Sequence, residues 1–140
     1  MDIFDPIKRS AVMACVRSKN TKPELRVRSY LHRRGLRYVI HDKRLPGNPD
    51  IAFPSRRVVV FVHGCFWHGH NCKKGRPPSS RSDYWLHKIE GNRTRDEMAA
   101  RRLLEMGWDV IVIWECLLSD RCLEEVTMRI REAAIQMPRR

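Results

Sequence analysis

"RRVVVFVHGCFWHGHNC", residues 56–72, is the stretch on which the architecture turns. Its first half holds an unbroken apolar run from Val58 to Val62, rich in β-branched residues. That is the pattern of a central strand covered on both faces. The second half, from His63 to Cys72, crowds three histidines, two cysteines and a Phe-Trp pair into ten positions. A buried strand ending in such side chains predicts a sheet with its chemistry at one end, where α/β proteins place ligands.

The flanks fill in the rest. Upstream, "PDIAF" (49–53) reads as a second strand, joined to the first by a turn at Pro54-Ser55. Further upstream, "TKPELRVRSYLHRRG" (21–35) carries the signals of a helix. Thr21 and Glu24 have capping-box spacing, Pro23 sits in the first turn and Gly35 is the stop. Glu24, Val27 and Leu31 share one face by the i, i+3, i+7 rule, so Glu24 either looks inward or serves only the cap. Downstream, "TRDEMAARRLLEMG" (94–107) predicts a helix with Ala99, Leu103 and Met106 on one stripe and Gly107 as its stop. "WDVIVIWE" (108–115) reads as another buried strand, with Trp108 and Trp114 in the core. Leu123, Val126, Ile130, Ala133 and Met137 mark a last amphipathic helix. The order helix, strand, strand, helix, strand, helix predicts a three-layer α/β domain with a central mixed sheet flanked by helices. No repeat or linker divides residues 1–140, so one domain is expected.

Charge points to the partner. The formal net charge is +12. Residues 6–37 hold ten Lys/Arg against a single acid, and "KKGRPPSSR" (73–81) adds four more in a Pro/Gly loop. Either run alone would be an ordinary solvated surface. Two runs bracketing the His/Cys stretch point to phosphate contacts. Membrane association is disfavoured, because the longest apolar runs fall far short of the ~20 residues a spanning helix needs. The start, "MDIFDPIKRS", has no apolar signal region, and five cysteines, an odd number, argue against a disulfide framework. A reducing cytoplasm is the expected setting.

Two sites are expected in the one stretch. Cys65, His70 and Cys72, with Cys116 in "WEC" after the last strand, meet the needs of a structural zinc ion: four N/S donors drawn from two loops. Cys15 and Cys122 read as ordinary apolar cysteines. His63 and His68 are then left over. Asp50 starts the strand that pairs with the one His63 ends, so the two should be neighbours. A carboxylate, two imidazoles and a basic surface suggest Mg²⁺-assisted phosphodiester hydrolysis. The competing reading of Asp50 is a plain turn residue in "LPGNPD".

These residues resemble a known family. "HGCFWHGHNC", with "LPGNPD" before it and "WEC" after, is similar to the very-short-patch repair (Vsr) DNA mismatch endonucleases. "RSAVMACVRSKNTKPE" and "YWLHKI" extend the likeness over nearly the whole chain. The resemblance implies a restriction-endonuclease-like fold and a nick 5′ to the thymine of a T:G mismatch left by deamination of 5-methylcytosine. It implies Mg²⁺ on Asp50 and the Val62 main-chain carbonyl, His68 as general base, His63 at the phosphate or leaving group, and Glu24 as an outer carboxylate. It assigns zinc to Cys65, His70, Cys72 and Cys116. It also implies that Phe66, Trp67 and Trp85 wedge into the DNA, with Met13 inserting from a basic DNA-contacting segment, residues 1–20. Some relatives carry Thr where Val62 stands, and the usual second carboxylate and lysine of restriction-type sites are missing. A monomer on the nucleoid is expected, linked to a cytosine-5 DNA methyltransferase and to general mismatch-repair proteins.

Two alternatives stay open: a nuclease that nicks correctly paired sites, and a zinc-stabilised DNA-binding module without catalysis. A zinc deaminase is poorly supported, because neither its H-x-E nor its P-C-x-x-C element occurs.

Overall fold

The structure, a computed structural model, describes residues 20–65, 67–70, 72, 82–133 and 135. Met13, Cys15, Phe66, Met137 and the basic loop at 73–81 lie outside the described residues. In chain order the elements are α1 (Lys22–Arg33), β1 (Val39–Ile40), β2 (Ile51–Phe53), β3 (Val58–His63), α2 (Ser82–Glu105), β4 (Asp109–Trp114), a 3₁₀ turn (Glu115–Leu117) and α3 (Asp120–Glu132).

The strands form one mixed sheet in the order β1-β2-β3-β4, antiparallel up to β3 and parallel between β3 and β4. The Val58–Val62 run reads as unbroken because its alternate residues enter different cores. Val58 and Val60 join Val27 and Leu31 of α1 and Leu123, Val126 and Ile130 of α3. Val59 and Phe61 turn the other way, onto Leu103 of α2. Helices α1 and α3 therefore cover one face and α2 the other, giving the expected three layers.

Local signals explain the first helix. Thr21 Oγ1 accepts from the Glu24 N–H at 3.3 Å. At the far end Gly35 has φ +83°, and the Leu36 N–H reaches back to the Leu31 carbonyl at 3.1 Å. That is the left-handed cap for which glycine carries no Cβ penalty. Gly47 is constrained in two ways. Its φ is +77°, and a Cβ there would lie 2.7 Å from Ala99 Cβ, so the "LPGNPD" loop can press onto α2.

The structure departs from the sequence expectations in four places. Helix α2 starts at Ser82 rather than Thr94, because Trp85, Ile89, Asn92, Asp96, Ala99 and Leu103 continue one stripe at spacings of four and three. Two of its members are polar, which hides it from a hydrophobicity count. Met106 does not continue the stripe; it follows the helix and is 46% exposed. Strand β1 is an extra two-residue strand with both residues exposed. Strand β4 pairs only with β3 among the described residues, so it is an edge strand and Val112 is 39% exposed.

Candidate active site and thiol cluster

At the C-terminal end of β3 the chain gathers three groups of metal-ligating side chains. The ligating atoms of each group lie within 4.8 Å of one another. The first is Glu24, His41 and Asp50. Glu24 looks inward, as its helical face predicts, and is 2% exposed. Its Oε2 accepts from Arg28 at 2.7 Å and from His41 Nε2 at 2.8 Å. Asp50 Oδ2 accepts from the Val62 main-chain N–H at 2.7 Å. Burial, with Glu24 close by, pushes the Asp50 carboxyl up to about 7, against the opposing pull of the Val62 N–H. Two buried carboxyl groups side by side disfavour ionising both unless a cation joins them. Their oxygens suit a hard divalent ion such as Mg²⁺, which takes one or two carboxylates and keeps several waters.

The second group is His63, His68 and Asp96. The two imidazoles stack with centroids 3.7 Å apart and planes 5° from parallel. His68 Nδ1 lies 2.5 Å from Asp96 Oδ2. An ionised carboxylate can only accept, so Nδ1 donates, and in the neutral imidazole the lone pair then lies on Nε2. Burial, then the neighbouring His68, pulls His63 down to about 4, with Asp96 opposing, so His63 is neutral at pH 7. Its Nδ1 is buried with no hydrogen-bond partner. Both rings line a groove of about 300 Å³ between α2 and β4, alongside Arg93, Val112 and Trp114.

Asp50 and His63 thus sit at the same end of the β2–β3 ladder, yet their side chains join different groups. Asp50 joins Glu24 of α1, and His63 joins Asp96 of α2, so the central sheet has one group towards each helix layer.

The third group is Cys65, His70, Cys72 and Cys116, the four residues expected from sequence. Cys116 Sγ lies 3.3 Å from His70 Nδ1, and the Cys65 N–H donates to Glu115 Oε1 at 3.2 Å. Burial pushes the Cys65 thiol up to about 12, with Cys116 and Cys72 beside it. A buried thiol in such company gives up its proton to a cation, and three sulfurs with one imidazole nitrogen suit tetrahedral zinc.

Trp114 is a correction to its assignment as a core residue. It stacks on His70 at 4.2 Å and meets His63 edge-on at 5.1 Å, so one indole touches both the thiol cluster and the stacked histidines.

Two of the residues that the family resemblance expects to wedge into DNA, Trp67 and Trp85, are buried. Trp67 and Trp85 are 7% and 5% exposed and pack edge-to-face with centroids 6.0 Å apart. The buried Asn92 amide holds the Trp67 carbonyl at 2.9 Å. Gly69, at φ +63°, lets the loop lie on α2, since a Cβ there would come within 2.6 Å of Ile89. Phe66 and Met13 lie outside the described residues.

Three residues of the site were not singled out from sequence. Asp96 and Arg28 belong to no motif in the sequence. His41 carries no pattern at all. Asp96 did have a signal, for Asp96, Ala99 and Leu103 repeat the i, i+3, i+7 spacing that places Glu24 inward.

A basic α/β protein whose carboxylates and imidazoles converge where its central strands end has the make-up of a nuclease. The chain belongs to the Vsr family: the family model described as "DNA mismatch endonuclease Vsr" matches residues 1–74. It is 40% identical to the DNA mismatch endonuclease Vsr of Escherichia coli K12 over 134 residues, covering 94% of this chain and 86% of that protein. It is 55% identical over 128 residues to the type II nicking enzyme V.XorIIP of Xanthomonas oryzae pv. oryzae, covering 91% and 94%. With V.NmeAIP of Neisseria meningitidis serogroup A, another type II nicking enzyme, identity is 47% over 133 residues, covering 94% and 95%. Among the described residues, no helix is long and apolar enough to cross a membrane.

Proposed function

We propose that this protein, on a restriction-endonuclease-like fold, nicks duplex DNA on the 5′ side of the thymine in a T:G mismatch, opening a very short repair patch. The observation that carries the reading is the pairing of two unlike groups at one strand end. Asp50 with Glu24 offers oxygen to a cation, and His68 with Asp96 offers a base beside neutral His63.

A Mg²⁺ ion held by Asp50 and the Val62 carbonyl, with Glu24 in its outer sphere, would supply charge stabilisation at the scissile phosphate. The Val62 N–H keeps the Asp50 carboxylate oriented at 2.7 Å. His68, its Nδ1 committed to Asp96, accepts the proton of the attacking water at Nε2. The triad-like order of water, imidazole and carboxylate fixes the tautomer, so the base does not rotate out of line. His63, uncharged at neutral pH and stacked on His68, faces the phosphate or the leaving oxygen.

Zinc at Cys65, His70, Cys72 and Cys116 fixes the loop after β3 and so the position of His68. The basic N-terminal segment, residues 1–20, grips the backbone with Met13 inserting. Phe66, Trp67 and Trp85 wedge beside the mismatch, where unstacking costs least. The protein acts as a monomer in the cytoplasm, on the nucleoid, downstream of a cytosine-5 methyltransferase and beside general mismatch-repair proteins.

Relatives named type II nicking enzymes support a second reading, in which a specific paired site is nicked. One assay separates the two. Zinc-loaded protein is given matched duplexes carrying T:G, T:A or C:G at one position, with Mg²⁺ and varied flanking pairs. Nicking of the T:G duplex alone is expected. Equal nicking of all three favours the second reading, and binding without a nick reduces the protein to a DNA-binding module.

A further inference from the structure

Glu24 and Asp50 are far apart in sequence, one on α1 and one immediately before β2. Something must hold two carboxyl groups together that repel when ionised. His41 links the two residues, through the Glu24 carboxylate and the Asp50 main chain. The His41 side chain reaches Glu24 Oε2 at 2.8 Å, and its main-chain N–H donates to the Asp50 carbonyl at 3.2 Å. It does so from the left-handed region, at φ +49°, which is uncommon outside glycine but in which Asn, Asp and His are enriched. The ring is largely enclosed, with its side chain 13% exposed.

We infer that His41 is a positioning residue for the catalytic cation: one side-chain and one main-chain hydrogen bond lock Glu24 to Asp50, so that both carboxylates present oxygen to the same ion. The bond from His41 joins that of Arg28 on the same oxygen, Glu24 Oε2. Both donors therefore load one oxygen of the carboxylate, while Asp50 lies beside the same carboxyl group. Arg28 belongs to α1 itself, four residues from Glu24, and fixes the carboxylate only relative to its own helix. His41 follows β1 and ties that helix to Asp50, immediately before β2. Its reach sets the separation of the two ligands. Partners of this outer kind govern metal affinity by roughly 10–100-fold in other sites.

The inference rests on Asp50 and Glu24 being the cation site proposed above. The test uses zinc-loaded full-length protein and titrates Mn²⁺ alone by calorimetry, with no DNA and no nicking. Asp50→Asn gives the baseline for binding elsewhere. His41→Asn keeps a residue that tolerates the left-handed backbone but is too short to reach Glu24. His41→Gln keeps both the reach and an N–H donor. Relative to the parent, His41→Asn is expected to weaken Mn²⁺ binding by about 10–100-fold, and His41→Gln by no more than about threefold. The Mg²⁺ concentration for half-maximal nicking should move in parallel, with most of the rate recovered at saturating Mg²⁺.

Mn²⁺ affinity unchanged in His41→Asn overturns the role, as does a Gln variant as weak as the Asn one. A lowered maximal rate with an unmoved metal midpoint also overturns it, since His41 would then act on a later step. Equal Mn²⁺ binding by the parent and Asp50→Asn removes the cation site itself, and the role of His41 with it. Thermal melting of each variant identifies simple unfolding; a melting loss that Gln repairs without restoring metal affinity assigns His41 to the fold and overturns the inference.

Discussion

Consider replacing Asp50 by Asn and following stability, rather than activity, against pH. In the metal-free site the Asp50 carboxyl is raised from 3.8 to about 7, chiefly by burial. The sign follows from proton binding. Between those values the folded chain holds a proton that the unfolded chain has released, so stability must fall as pH rises. The contribution is intact below about pH 4, declines through the interval and is gone above about pH 7. Each pKa unit is worth about 1.4 kcal/mol, so the full loss is on the order of 4 kcal/mol, reduced by whatever water reaches the carboxylate. His63 works in the opposite direction. Its pKa is lowered from 6.5 to about 4, so its contribution is lost as pH falls through that range. The parent and the Asp50→Asn variant both contain His63, and it cancels in the difference. Urea unfolding of zinc-loaded parent and Asp50→Asn, without other divalent ions, should give a parent-minus-variant stability difference that falls by roughly 3–4 kcal/mol from pH 4 to pH 8. Millimolar Mg²⁺ should flatten that curve by binding the folded, ionised form. Parallel stability curves for the two proteins would show that Asp50 lies in no such environment, and the cation site would lose its main physical support.

Further outcomes can be checked directly. Asp96→Asn should lower the nicking rate by about 10²–10⁴-fold, the usual worth of a positioned base, with DNA affinity unchanged; a loss below about tenfold removes His68–Asp96 from proton transfer. Cys116→Ser should release bound zinc and lower the melting temperature together, because a structural ion contributes directly to folding; full zinc content with unchanged melting contradicts the four-ligand assignment. Leu103→Ala should cost about 2–5 kcal/mol in urea unfolding by emptying the α2 side of the sheet, and a cost below about 1 kcal/mol would mean that α2 does not seal it. Trp67→Ala should weaken discrimination for T:G more than binding to paired DNA at the same salt; equal losses would make Trp67 packing alone.

The layers were legible because each rests on short-range periodicity. The Val58–Val62 run required two covered faces, and the Glu24, Val27, Leu31 spacing left Glu24 either inward or on the cap, of which the fold shows the first. The four thiol-cluster residues were legible because three of them share one loop and ligand chemistry limits the choices. The first half of α2 was not, because its buried stripe includes Asn92 and Asp96, which a hydrophobicity pattern counts against a helix face. The same blindness hid Asp96 as a partner for His68. His41 was beyond any local rule, since its importance comes from a hydrogen bond across 17 positions. Trp114 looked like core because the strand around it is apolar. Only the parallel pairing of β3 and β4, which sets His63 opposite Trp114, reveals what it touches.

That parallel pairing sets when the candidate site can first assemble. His63 and Trp114 are the final rungs of a ladder that closes only after the long α2 crossover has been laid down. Cys116 follows immediately and completes the sulfur set begun at Cys65. A growing or proteolytically clipped chain that lacks β4 therefore carries its histidines unbraced and its thiols one short.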